Sequence, residues 1–428
     1  MKSYTPFFLL FAAYFWACQG PATVQPRTAK PQTLIQSVDL AGFSAARLAR
    51  IDQWLEASIA KGDLPNAVTF IARKGQIVHH KAFGFKDLGT KDPVAVHTIF
   101  RMASQTKAIT TVGLMMLFEE GKFLLEDPVS QYLPAFSNPR ILEQYNKETG
   151  EMQTKPAKRA PTIRELLSHT AGILPYGHPL YQKEGIPELC SLEPLLLATA
   201  MDKLGQLPLL HEPGAAYTYG LNTDVCGYLI EVLSGMPLDQ YFAEKIFKPL
   251  GMTDTHFYLP EEKAPRLVTL HERTSMDSPL RISDNKAWAT YPVAGAKTYF
   301  SGGAGLVGTI EDYGKFCQML LNMGSFNGVQ LLSPKTMEVM LANQIGEFEV
   351  WGTQNKFGLG FELFTPAHVA RHTGSVGAFK WGGAYSTDFT IDPAEDLIFL
   401  CYTNALPFAN PNWHMHFRAL VYQALVEE

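Results

Sequence analysis

The sequence predicts an α+β protein of three layers, α/β/α, in which an antiparallel sheet built from both chain ends is flanked by helices and carries an inserted, mainly helical subdomain. Three observations predict it. Near the start, an amphipathic helix precedes two strand-like runs, Ala67 to Ala72 and Ile77 to Phe83, around Arg73-Lys74-Gly75-Gln76. Near the end, Ala384 to Ile391 and Leu397 to Tyr402 flank Asp392-Pro393-Ala394-Glu395-Asp396, and a helix follows with Trp413, Phe417, Leu420, Val421 and Ala424 on one face. Between them, residues 131–290 show little alternation and read as helices and loops. Helix plus antiparallel strands at both ends fits one sheet covered by helices, made of residues 44–130 and 291–428, with 131–290 as the insertion.

In chain order, residues 1–17 have the form of an export signal: Lys2 supplies the positive end, and Phe7 to Ala17 is apolar but too short to span a bilayer. Cleavage after Ala17 leaves Cys18 first and a candidate for lipid attachment, although Phe15-Trp16-Ala17 is a poor match to the usual lipobox. Residues 18–43, rich in Pro, Gln and Thr up to Thr33, read as a tether. The protein is therefore expected to be periplasmic or extracellular, lipid-anchored if Cys18 is modified. Ser44 is placed to cap the first helix, Leu48, Ile51, Leu55 and Ile59 form its stripe, and Gly62 stops it. After the hairpin, Ala108 to Phe118 is apolar nearly all round, the pattern of a helix buried in the body of the protein. In the insertion, Thr162 to Leu167, Leu195 to Leu204 and Thr223 to Ser234 are the clearest helices. Beyond it, Thr309 and Asp312 have capping-box form, with Gly324 as the stop.

Composition removes several function classes. At 46% hydrophobic and 18% charged residues, the 428-residue chain can bury a large core. Its net charge is −5 and its Lys and Arg are scattered, so no electrostatic footprint for nucleic acid exists. The twelve histidines show no metal-ligand spacing, and His79 and His80 should project to opposite strand faces; no metal and no cofactor is expected. Beyond Cys18, Cys190, Cys226, Cys317 and Cys401 have no paired spacing and read as small buried hydrophobes, with a disulfide left open. Oligomeric state has no sequence signal.

A Ser-x-x-Lys spacing puts hydroxyl and ammonium on one helix face, so the lysine can hold or take the serine proton. The chain has three such pairs: Ser58 with Lys61, Ser104 with Lys107, and Ser283 with Lys286. The first lies at a helix C-terminus, where the dipole disfavours an oxyanion. The third lies in a polar run read as a loop. Ser104 opens the apolar helix, where the dipole is favourable and its own amide is free to donate, although a serine capping a core helix gives the same pattern. Such a serine needs a proton-handling partner and a second oxyanion amide. Tyr219, just ahead of the Thr223 helix, is the partner candidate, against a core tyrosine with a satisfied hydroxyl. Trp381-Gly382-Gly383-Ala384 is read as opening the penultimate strand, with glycines that admit a substrate backbone and Ala384 as the second donor, against a simple glycine bulge.

Arg101-Met102-Ala103-Ser104-Gln105-Thr106-Lys107, Glu119-Glu120-Gly121-Lys122 and Asp127-Pro128-Val129-Ser130-Gln131-Tyr132-Leu133-Pro134 together resemble the serine beta-lactamase and penicillin-binding-protein-like superfamily. Within it the chain is similar to the branch of class C beta-lactamases, family VIII carboxylesterases and related peptidases. Thr162 to Gly172, with Ser168-His169-Thr170, and Gly302-Gly303-Ala304-Gly305-Leu306 running into Asp312-Tyr313, extend the likeness over about residues 45–425. The resemblance implies Ser104 as nucleophile, Lys107 and Tyr219 as the proton-handling pair, and the Ser104 and Ala384 amides as oxyanion hole. Two departures accompany it. The family's Tyr-x-Asn is here Tyr219-Gly220-Leu221, with Asn222 displaced by one. Its Lys-Thr-Gly is Trp381-Gly382-Gly383, the esterase-like form, without the cation that binds a beta-lactam carboxylate. Arg371-His372-Thr373-Gly374 is a rival for that strand, but His372 lies too far from Asp392 for one strand and is expected at the rim. His169 lacks a Gly-x-Ser-x-Gly partner motif and is expected to be structural.

The expected function is an acyl-enzyme-forming serine hydrolase acting on carboxylic esters or small amides. Beta-lactamase or D-amino-acid peptidase chemistry, and a non-catalytic protein binding peptidoglycan-like ligands, are the alternatives.

Overall fold

The computed structural model describes Met1 and residues 33–36, 39–275, 277–406 and 412–426. The expected signal (apart from Met1), Cys18 and most of the tether lie outside the described residues. The hairpins from the two chain ends meet in one sheet, because each carries a strand whose residues are buried on both faces. Taking the strands in chain order, β1 is Ile35–Gln36, β2 Asn66–Arg73, β3 Gln76–Gly84, β4 Lys356–Phe357, β5 Glu362–Leu363, β6 Phe379–Gly383, β7 Thr387–Asp392 and β8 Leu397–Tyr402. Their order across the sheet is β1-β3-β2-β8-β7-β6-β5-β4. The ends join at β2 and β8, where Phe70 lies opposite Leu400 and Val68 opposite Tyr402. All pairings are antiparallel except β1 on β3, a short parallel edge contributed by residues expected in the tether.

Period-two alternation then divides the core. Ile71, Phe399 and Cys401 face the terminal helices α1 (Ala45–Ala60) and, named below as α5, Trp413–Ala424. Phe70, Phe389, Leu400 and Tyr402 face the other way, toward α2 (Thr106–Glu119) and α4 (Ile310–Leu321). The three layers follow. Leu48, Ile51 and Leu55 of the predicted α1 stripe are buried, and 11 of the 14 residues of α2 are buried, as an all-round apolar helix requires. Residues Pro31–Glu428 form one compact unit, and Ile163, Leu166, Leu174, Leu197 and Leu229 of the insertion share the main core with the sheet. The insertion's helix α3 (Asn222–Ser234) packs on α2.

Three local readings need correction. The run read as one strand from Ala384 to Ile391 is β7 preceded by a turn; Trp381-Gly382-Gly383 ends a separate strand, β6, rather than opening β7. Ser386, at φ 71°, reverses the chain there. Within the stretch 131–290, read as helices and loops, Arg140–Tyr145 and Met152–Pro156 pair as a hairpin. His372 is exposed, its ring lies 4.7 Å from that of His368, and it is not part of the cavity lining. Cys190, Cys226, Cys317 and Cys401 are all free thiols, the last three buried.

The Gly383 position has a stricter requirement than substrate access. A Cβ there would sit 2.1 Å from the Met102 carbonyl oxygen and 2.5 Å from Thr387 Oγ1, so only glycine lets β6 lie against the turn that carries Ser104. Gly383→Ala is therefore expected to lower stability by about 1–3 kcal/mol through overpacking. Urea unfolding measures it, and an unchanged midpoint would show that the turn and strand can separate freely.

Candidate active site

Ser104 lies not in the first turn of α2 but just ahead of it, in a 3₁₀ turn spanning Ala103–Gln105. Ala103 has φ 44°, an unusual backbone state for a residue with a Cβ, and it redirects the chain from the Phe100–Arg101 strand into the helix. Several contacts hold that conformation. Thr387 Oγ1 donates to the Met102 carbonyl at 3.2 Å, the Tyr313 hydroxyl donates to the Gln105 carbonyl at 2.8 Å, and the Tyr402 hydroxyl donates to Gln105 Oε1 at 2.6 Å. The serine is half-buried at a cavity of about 290 Å³, whereas Lys107, one turn on, is almost fully buried beneath it.

The Lys107 ammonium donates to Ser104 Oγ at 3.3 Å, to the Tyr176 hydroxyl oxygen at 3.0 Å and to the Gly303 carbonyl at 2.7 Å. Three acceptors match its three N–H bonds. The Gly303 turn is itself held by Asp224: its Oδ1 accepts from Ser301 Oγ at 2.6 Å and from the Gly303 amide at 3.1 Å. A Cβ on Gly303 would fall 2.2 Å from Asp224 Oδ2, which explains the glycine. Burial raises the Asp224 carboxyl above its usual range, and the nearby Lys107 charge pulls it back down.

Tyr219 lines the cavity with Ser104, yet its hydroxyl is buried without a hydrogen-bond partner among the described residues. It is the face of the phenol ring that meets Lys107, with Nζ 4.8 Å from the ring centroid. The phenol that does bond Lys107 is Tyr176, which the sequence reading missed. Burial pushes the Tyr176 hydroxyl well above 10, so it stays protonated. The two rings come together because Pro175 bridges to Gly220, where a Cβ would lie 2.3 Å from the Leu174 carbonyl oxygen. Their centroids are 5.4 Å apart. The signal for Tyr176 was local: it lies four residues past the quoted Thr162–Gly172 stretch, in a Pro- and Gly-flanked loop without periodicity.

His169 packs its ring 4.8 Å from Tyr219, and its Nδ1 pairs with Asn222 Nδ2 at 3.0 Å. Burial holds it well below 6.5, hence neutral. It supports the Tyr219 loop, its carbonyl accepting from the Thr218 amide at 2.8 Å. Asn222 thus gives its Nδ2 to His169; it does not line the cavity, and its buried Oδ1 has no partner among the described residues. Trp381, Gly382, Gly383 and Ala384 all line the cavity. The Trp381 ring stacks on Trp351 at 5.3 Å and meets Tyr219 at 5.4 Å. Lys380, next to Trp381, does not restore the missing cation of the Lys-Thr-Gly form; its ammonium pairs with Asp388 at 2.9 Å. Among the described residues no cluster of three or more metal-ligating side chains occurs.

The Beta-lactamase family model matches residues 51–420. Esterase EstB of Burkholderia gladioli is 27% identical over 389 residues, which cover 86% of this chain and 94% of that protein. Monacolin J acid methylbutanoyltransferase of Aspergillus terreus is 28% identical, with 83% and 90% covered. Among solved structures, EstCE1, described as a hydrolase with promiscuous acyltransferase activity, superposes with TM-score 0.75 at 30% identity, covering 88% of this chain and 99% of that one. A family match across most of the chain, on a fold and motif order that agree with it, shows that the protein belongs to the beta-lactamase family.

Proposed function

We propose that the protein is a serine hydrolase of ester-cleaving type, acting through an acyl-enzyme at Ser104. The observation that carries this reading is the Lys107 ammonium on Ser104 Oγ at the floor of an aromatic-walled cavity. In the proposed cycle the Lys107–Tyr219 pair first releases one proton to solvent; Ser104 Oγ then gives its proton to that pair as it attacks the substrate carbonyl, and the pair returns the proton to the departing alkoxide. The Ser104 and Ala384 amides receive the oxyanion, a contribution of about 2.7–4 kcal/mol for one such donor. The protonated alcohol leaves, and water, or an acceptor alcohol, releases the acyl group. Relatives described as an esterase and as an acyltransferase support both outcomes of that last step.

The ester reading is favoured over beta-lactams by two side chains. Trp381 stands where the family's cation would be, and Asn222 is engaged by His169. A panel of short-chain nitrophenyl esters beside nitrocefin, read by turnover and by intact mass, tests the choice. A stable acyl adduct with the lactam and no ester turnover would reverse it. Export belongs to the same proposal, supported by residues 1–17, and lipid attachment at Cys18 with it. Fractionation of cells expressing the full chain tests both.

A further inference from the structure

The mouth of the cavity carries a charge that the hydrolytic reading does not use. Glu362, at the end of β5, lines the cavity and is only 7% exposed. Its Oε1 accepts from Asn355 Nδ2 at 2.5 Å and from Thr353 Oγ1 at 3.5 Å. Among the described residues no cation lies within ion-pair distance of it. The other charged groups of the cavity wall are Lys380 and Asp388, which neutralise each other, and His414, which burial pushes down to about 4 and so leaves uncharged near neutral pH. Lys107 does not line the cavity; it lies against the face of Tyr219. The wall therefore has one net negative charge.

The same cavity wall carries a pair of indoles, Trp351 and Trp381. Trp351 covers Trp381 with one face, at 26° between planes, and is 62% exposed overall. It is held in the left-handed region, φ 48°, which is costly for a bulky residue and marks a position over-determined by its surroundings. The determinant is visible: Thr353 and Asn355 of the same loop are the groups that bond Glu362. Carboxylate and indole are thus fixed relative to each other before any substrate arrives.

A buried carboxylate whose cross-strand neighbour Lys380 is already paired with Asp388, in a cavity wall shared with aromatic rings, is the chemistry that binds an alkylated ammonium. We infer that Glu362, with Trp351 and Trp381, forms a subsite for a cationic, quaternary-ammonium-like substituent on the substrate of Ser104. The inference deepens the hydrolase reading and rests on it for the word substrate.

The test uses two nitrophenyl esters of equal shape, of 4-(trimethylammonio)butyrate and of 5,5-dimethylhexanoate. In the wild-type protein kcat/KM should favour the cationic ester by about tenfold or more, and in Glu362→Gln, which keeps the acceptor for Asn355, the ratio should fall to about one. A ratio near one in the wild type, or a preference that survives Glu362→Gln, overturns the proposal. Titration with benzyltrimethylammonium, followed by tryptophan fluorescence in the Ser104→Ala background, separates it from the hydrolase reading. Saturable binding weakened about tenfold by Glu362→Gln supports the subsite even if no ester is cleaved, and absence of binding refutes it even if esters are cleaved. If Glu362→Gln does not fold, Trp351→Leu replaces it, with the same loss of preference expected and the same retention overturning the proposal.

Discussion

Ser104→Ala is expected to lower turnover of nitrophenyl esters by about 10⁴- to 10⁶-fold, the range seen when a serine nucleophile is removed from a machinery that acts as a unit. Labelling by a fluorophosphonate probe should vanish with it. The loss is expected without unfolding, because Ser104 is half-buried and among the described residues its hydroxyl bonds Lys107 alone, which keeps Tyr176 and Gly303. The other two Ser-x-x-Lys pairs serve as internal controls. Ser58 Oγ donates to the Trp54 carbonyl at 2.8 Å at the end of α1, and Ser283, just after the short Arg281–Ile282 strand, donates its Oγ to Glu272 and does not line the cavity. Ser58→Ala and Ser283→Ala should leave ester turnover within about twofold. Turnover persisting in Ser104→Ala, or lost in either control, would remove the acyl-enzyme assignment.

The chain ends were the legible part of the fold. Each hairpin carries a fully buried strand, Asn66–Arg73 in the first and both Thr387–Asp392 and Leu397–Tyr402 in the second, and α1 and α5 carry an apolar stripe, so local pattern and tertiary role agree. The Arg140–Tyr145 and Met152–Pro156 hairpin escaped because its residues are mostly exposed and polar; the pairing is visible only in the folded chain. At the β6–β7 turn, Gly382-Gly383-Ala384-Tyr385-Ser386 contains no Pro or Asn-Gly signal, and the reversal rests on Ser386 in a backbone state its residue type does not announce.

The site divides the same way. Ser104 and Lys107 are close in sequence, so helical geometry alone relates them. Tyr176, Asp224 and the loop and hairpin that carry Trp351 and Glu362 come from three separated segments that only packing brings together. Asp224 sits in the first turn of an otherwise apolar helix, and its burial, invisible in the sequence, is what makes it a holder of the Gly303 turn. Gly220, Gly303 and Gly383 point to the same cause: each is a place where backbone or a carboxylate approaches within 2.3 Å of where a Cβ would be.

Two phenols near one lysine pose the sharpest question, and leaving-group dependence answers it. A group that protonates the departing alcohol must reach the substrate. Tyr219 lines the cavity beside Ser104, whereas Tyr176 is not part of the cavity lining and reaches the site only by its hydroxyl on Lys107 and its ring on Tyr219. The buried, unbonded hydroxyl of Tyr219 is the kind of orphan expected where a substrate completes the hydrogen bonding. Tyr219→Phe keeps the ring contacts to Tyr176, Trp351 and Trp381 and should fold normally. It is expected to cost about 10²- to 10⁴-fold in kcat/KM for alkyl esters, whose alkoxide leaves poorly, and markedly less for nitrophenyl esters, which need little protonation. Tyr176→Phe removes one hydrogen bond to a charged group, about 1.5–3 kcal/mol, so both ester classes should fall together by roughly 10- to 100-fold. If Tyr219→Phe reduces both classes equally while Tyr176→Phe spares nitrophenyl esters, the two roles are exchanged, and the proton path runs through the phenol already bonded to Lys107.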